Sequence, residues 1–240
     1  MIRPTLHLFT HPALYILLTL AVYALSLRLH RRWAWIHPLL SASVALIFLL
    51  WVLHIPYASY NTGGGVFTTL LGPATVALGV PMYKQGIKLK ATLPRLSLVV
   101  FAGSAVGMVT AGGVASLCGA SHRMVMSALP KSVTTPIAIE VSRSLHGDPA
   151  ITAAMVLLTG LLGSVIGPGI LRLVRIPHDH AVGAAVGASS HAIGTASLFR
   201  SSEVRGSVSS LAMALAGIFT SVLAMLLNLY WRARGAGHPW

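Results

Sequence analysis

The sequence predicts an all-α polytopic membrane protein, a helix bundle of six to eight membrane segments forming a single integral membrane domain over residues 1–240. Three observations carry that expectation. Only 9% of the chain is charged and 55% is apolar, with mean hydropathy +0.78, whereas a soluble domain carries roughly a quarter charged residues. Apolar runs of the length that spans a bilayer, about 20 residues each, follow one another along almost the whole chain and leave no room for a soluble domain. The net charge of +13 sits in short clusters between those runs: Arg28, Arg31 and Arg32; Lys84, Lys88, Lys90 and Arg95; Arg172 and Arg175; Arg232 and Arg234. Cationic loops of that kind stay in the cytoplasm, so the charge reads as a topology signal and no nucleic acid partner is expected.

The segments lie near 12–28, 35–54, 66–83, 96–118, 124–144, 150–174, 180–199 and 207–231. The first runs straight into Arg28 without a small-residue cleavage site and reads as a retained membrane helix. Segments 35–54, 96–118, 150–174 and 207–231 are ordinary apolar helices. Cys118, the single cysteine, excludes an internal disulfide and a cysteine zinc site. Tyr57, Tyr60, Asn61, Thr62 and Gly63, Gly64 and Gly65 make a polar, flexible approach to the third segment, either a functional entry or an ordinary external loop. Segments 66–83, 124–144 and 180–199 differ from the rest. Gly72, Pro73, Gly79 and Pro81 interrupt the first, Pro130 and Pro136 the second, and Gly194 the third. Proline removes a helical hydrogen bond and frees a carbonyl, which hydrocarbon tolerates only where protein or water satisfies it. These three segments therefore face inward, broken or re-entrant.

A repeat accompanies the breaks. Pro73 to Val80 aligns with Pro130 to Ile137 at an offset of 57 (130 − 73), and the same offset carries Gly103 onto Gly160 and Gly112 onto Gly169. The repeat units lie near 66–118 and 124–174. A further step takes Ser132 to Ser189 and Gly160 to Gly217, where chance in a Gly- and Ala-rich chain competes. Paired discontinuous helices in repeats form the midplane site of many secondary transporters. If all segments span, the copies are parallel. If the broken segments are re-entrant, each unit crosses once, the copies are inverted, and Arg172 and Arg175 fall on the cytoplasmic side.

Lys131 is the sharpest chemical feature, because a lysine at the centre of a membrane helix costs about 2.5–3.5 kcal/mol on insertion scales. With Ser132, Thr134, Thr135 and the amides freed at the break it makes an anion site; the competing reading has Lys131 snorkelling to the interface. Thr75 in the first broken segment, Asn61 before it, and Ser190 and Thr195 in the third are further binding candidates. His191, deep in an apolar segment, and Glu140 are candidates for proton coupling, although Glu140 also suits a pair with Arg143 at (i, i+3). His178, Asp179 and His180 lack a second ligand set, so no metal is expected. No nucleophilic triad, paired-carboxylate site or nucleotide motif is present, so neither an enzyme nor a cofactor is expected.

Three motifs add a family. Leu71-Gly72-Pro73-Ala74-Thr75-Val76-Ala77-Leu78 with Val80-Pro81-Met82-Tyr83-Lys84, then Leu129-Pro130-Lys131-Ser132-Val133-Thr134-Thr135-Pro136-Ile137-Ala138, then His191-Ala192-Ile193-Gly194-Thr195 resemble the LrgB/CidB family from about Tyr60 to the end of segment 207–231. The resemblance implies a bacterial inner-membrane protein, antiholin-like, modulating murein hydrolase export and cell lysis beside a small holin-like partner of the LrgA/CidA type. It also implies carriage of small monocarboxylates: similar proteins move pyruvate, or glycolate with glycerate in plastids. The plastid relatives fuse two halves, of which this chain resembles the second, so a separate partner is implied; a homo-oligomer is the other association to expect. The family brings no settled residue roles. Gly187-Ala188-Ser189-Ser190 and Ser197-Leu198-Phe199-Arg200 depart from the common pattern, which bears on selectivity.

Overall fold

A computed structural model describes residues 11–33, 36, 38–77, 80, 83, 84, 87 and 90–233, with the side chains at 71, 72, 74, 75 and 77 left out. The described residues contain nine helices: α1 (Pro12–Arg32), α2 (Pro38–Val52), α3 (Tyr57–Ala77), α4 (Leu93–Leu117), α5 (His122–Ala128), α6 (Thr135–Ser144), α7 (Pro149–Leu173), α8 (Asp179–Phe199) and α9 (Glu203–Ala233). No strand occurs among them. Four helices, α1, α4, α7 and α9, are long and apolar enough to cross a membrane. Their outward faces are apolar: Leu98, Val109, Val165 and Leu173 are all more than two-thirds exposed. Water would penalise that surface and hydrocarbon does not. The chain is thus a multi-pass, all-helical membrane protein.

The chain divides into two compact units, one ending at Ala74 and the other beginning at Thr75. In the first, α1 packs on α2, and α3 begins at Tyr57, well before the expected start at 66. The stretch expected as a flexible approach is helical, for a packing reason. Tyr15 and Tyr60 meet edge to face with centroids 5.9 Å apart, Thr19 and Tyr60 share a hydroxyl hydrogen bond of 3.0 Å, and a side chain at Gly63 would collide with the Pro12 carbonyl. Gly63 permits close approach of the two helices rather than a hinge. Nor does α3 break at Gly72 and Pro73: it continues to Ala77. Gly79 and Pro81 lie outside the described residues.

In the second unit the remaining segments match the sequence within a few residues, and the two broken ones double back. Leu129 to Thr134 separate α5 from α6. Arg123 and Asp148, on either side of that segment, form a 2.9 Å ion pair. Inside it, the Thr152 hydroxyl bridges the Ser127 carbonyl (3.0 Å) and the Ser142 hydroxyl (2.7 Å). A straight helix would hold Ser127 and Ser142 about 22 Å apart. Residues 122–147 are therefore a helical hairpin, with Pro130 in its tip and Pro136 opening its second limb.

The third broken segment does the same. His191 takes φ 39°, ψ −138° inside α8, and Asp179 at its start meets Ser202 (3.0 Å) and Arg205 (2.7 Å) beyond its end. Val182, Val186 and Leu198 share one apolar cluster, impossible along a straight helix. Residues 179–202 are a second hairpin turning at His191. Gly194, expected as the break, is helical three residues later; it stands where a Cβ would strike Ser190 and Val186, so its glycine serves close packing of the two limbs.

Candidate functional site

A cavity of about 730 Å³ opens where the two hairpins meet α4 and α7. Its wall holds Gly103 and Gly107 of α4, Lys131 and Ser132 of the first hairpin tip, Thr159 and Gly163 of α7, and the limb of α8 from Ala184 to Ser190. Gly103 and Gly107 fall ten and fourteen residues beyond the first residue of α4 (103 − 93, 107 − 93), and Thr159 and Gly163 do the same on α7 (159 − 149, 163 − 149). The cavity therefore lies at the middle of both long helices.

Its chemistry is simple. Lys131 is half-buried, and its ammonium makes no ion pair or hydrogen bond among the described residues. No carboxylate lines the cavity. Hydroxyls of Ser132, Thr159, Ser189 and Ser190 surround it, with Ser189 and Ser190 3.1 Å apart, and the rest of the wall is glycine, alanine, valine and leucine. One cation with hydroxyl donors in an apolar shell has the chemistry to receive an anion and lacks the carboxylate or imidazole ligands a metal ion takes. No cluster of three metal-ligating side chains exists among the described residues.

Two glycines of α7 are required by the packing. A Cβ on Gly163 would overlap the Ser190 hydroxyl, and one on Gly160 would lie 2.5 Å from His191 Cε1, so α7 carries the second hairpin directly on its backbone. A Cβ on Gly107 would lie 3.9 Å from the Ser132 hydroxyl, an ordinary contact.

The structure brings Lys131, Ser132 and Ser190 together and sets other candidates apart. Thr134 is buried behind the tip, its hydroxyl without a hydrogen-bond partner. Thr135 is the first residue of α6. His191 is buried behind the wall, where ring Nε2 donates to the Val156 carbonyl at 3.0 Å. Thr195 donates to the His191 carbonyl (2.8 Å) and pairs with Ser209 (2.8 Å). Glu140 is exposed and bound to Arg143 at 2.6 Å; it lines a separate groove with Asn228 and Arg232. Asn61 is exposed on α3 in the other unit, and Thr75 lies in α3 with its side chain outside the described set. Thr159 and Gly163 carry no signal of their own in the sequence, because α7 reads there as plain apolar helix; only their alignment with Gly103 and Gly107, at an offset of 56 (159 − 103, 163 − 107), marks them.

Residues 19–229 match the LrgB-like family. The chain is 40% identical over 212 residues to Uncharacterized protein YwbG of Bacillus subtilis, covering 88% of this chain and 94% of that one. It is 38% identical over 213 residues to an uncharacterized protein of Haemophilus influenzae, covering 88% and 92%. It is 32% identical over 223 residues to the holin-like protein CidB of Staphylococcus aureus, covering 92% and 97%. No solved structure matches the chain. By the extent of these matches the chain belongs to the LrgB-like family.

Proposed function

We propose that the protein is a secondary carrier of small monocarboxylates of the pyruvate or glycolate type in a bacterial inner membrane, with no enzymatic step and no cofactor. The carrying observation is the solitary Lys131 ammonium in a mid-helix cavity that holds hydroxyls and no acid. A single cation favours a single negative charge, and the Gly/Ala wall accommodates a short apolar body. Ser132, Ser189 and Ser190 orient the carboxylate. Thr134 and Thr135 support the tip, and Thr195 braces the second hairpin. His191 is the better candidate for coupling protons, since Glu140 is committed to Arg143.

The test is uptake of labelled pyruvate, glycolate and lactate into proteoliposomes, with and without a proton gradient. Saturable uptake is expected, with Lys131→Ala raising the half-saturating concentration about 10- to 100-fold, the value of a charge-assisted hydrogen bond. Unchanged uptake in Lys131→Ala would remove the anion site from this cavity.

A second reading rests on the name of the CidB relative, a holin-like protein. In it the chain is an antiholin-like regulator of murein hydrolase export and cell lysis that binds a small LrgA/CidA-type membrane partner. The glycine face at Gly103 and Gly107 suits helix packing, with that partner or with a second copy. Folded protein that co-purifies with such a partner and gives no flux under any condition would favour it.

A further inference from the structure

The two hairpins are the same structure twice. The offset of 57 that aligns Pro73 with Pro130 also places Ser132 on Ser189 and Thr134 on His191, so the two turns coincide in register. It places Asp148 on Arg205, and each closes the mouth of its hairpin with an ion pair, to Arg123 in one case and to Asp179 in the other. The signs are exchanged, and the second partners lie one residue out of that register, Arg123 falling on His180 beside Asp179. It places Thr152 on Ser209, and each is a buried hydroxyl early in the following long helix that bonds a hydroxyl on the returning limb: Ser142 at 2.7 Å and Thr195 at 2.8 Å. It places Gly160 on Gly217. Gly160 of α7 receives His191 and Ile193 from the second hairpin, and Gly217 of α9 receives Ile137 from the first. Each hairpin thus packs on the long helix that follows the other, the reciprocity of a two-fold relation.

Each unit is one hairpin that returns to the face it left and one helix, α7 or α9, that crosses. A unit with one crossing reverses the orientation of the next. We infer that residues 121–233 form an inverted repeat, in which one re-entrant hairpin serves the central cavity from each membrane face. The longer limbs, residues 179–190 and 135–144, reach about 18 and 15 Å by helical rise, half the thickness of a hydrocarbon core, which agrees with tips at the centre of α4 and α7. Lys131 and Ser132 ride on one hairpin, Ser189 and Ser190 on the other. The mouth of the second hairpin shares its face with Lys90, Arg95, Arg172, Arg175, Arg200 and Arg205, against Arg123, Arg143 and Arg232 at the first. The excess of Lys and Arg makes the second mouth cytoplasmic and the first external. This holds whatever the cavity carries.

The test uses the single-cysteine chain. In a Cys118→Ser background, cysteines at Met124, Ala150, Ile176 and Ser201, all exposed, are labelled with a membrane-impermeant maleimide in right-side-out and inside-out vesicles. Met124→Cys and Ala150→Cys should react from the outside, and Ile176→Cys and Ser201→Cys from the cytoplasmic side. Met124→Cys and Ala150→Cys on opposite faces would mean a full crossing between them and would overturn the inference, as would all four on one face. Where a variant does not accumulate, Ser144→Cys and Arg200→Cys repeat the measurement at each mouth.

Discussion

The two hairpins turn by different means. The first turns over six residues, Leu129 to Thr134, with Pro130 in the turn and Pro136 at the start of the returning limb. The second turns at one residue, His191, held at positive φ without any proline. Proline ends a helix locally, by removing a donor. His191 has no such local instruction; its conformation persists because Gly160 and Gly163 of α7 bring a backbone against its ring and against Ser190. A break can thus be written in the chain that bends or in the helix it bends against, and the two kinds fail differently when mutated.

The largest contrast should lie in the glycines. Gly160→Ala and Gly163→Ala force a methyl group into His191 and Ser190, and overpacking of that order costs about 1–3 kcal/mol. Thermal unfolding of the purified protein in detergent should drop by several degrees for each. Gly107→Ala, whose methyl would sit at an ordinary 3.9 Å from the Ser132 hydroxyl of the first hairpin, should change little. Equal losses at Gly107 and Gly163 would mean that both hairpins are held alike.

The turn itself gives the next contrast. His191→Ala and His191→Gly both lose the bond from Nε2 to the Val156 carbonyl, but only glycine takes φ 39° without steric cost. The glycine variant should be the more stable by about 1 kcal/mol, the reverse of the order in a regular helix, where alanine leads by a similar amount. Alanine equal to or better than glycine would show that His191 is not the strained point.

The same contrast explains what the sequence made legible. Lys131, Ser132, Pro130 and Pro136 were found because their chemistry is local: a charge and two missing donors inside an apolar run. His191 was noticed as a polar residue, yet the break was placed at Gly194, because glycine is the usual bearer of positive φ; the cause lay some thirty residues away on α7. Thr159 and Gly163 were hidden for the matching reason, since nothing in a plain apolar helix says which face a hairpin will use. The helicity of Tyr57 to Gly65 is masked by a run of three glycines, of which Gly63 serves close packing against Pro12. The choice between full spans and hairpins could not be made from charge counting, because it turns on contacts between Arg123 and Asp148 and between Asp179 and Arg205, each some 25 residues apart in the chain.

Those mouth pairs give the smallest effect. Both are substantially exposed, and exposed pairs contribute little to stability. Asp179, which precedes the apolar stretch of its hairpin, is the one whose titration is displaced: the hydrogen bond from Arg205 foremost, then that from Ser202, holds its carboxyl below the usual carboxylate range against the opposing effect of burial. A carboxyl whose pKa is lower folded than unfolded stabilises the fold above its unfolded value, near 3.9, and loses that contribution as pH falls through the folded value. The wild-type chain should therefore exceed Arg205→Gln in unfolding temperature at about pH 6 by a margin that shrinks toward about pH 3 and that added salt narrows as well. A margin independent of pH over that range would mean that Arg205 holds the second mouth by packing of its side chain and not through the Asp179 carboxylate.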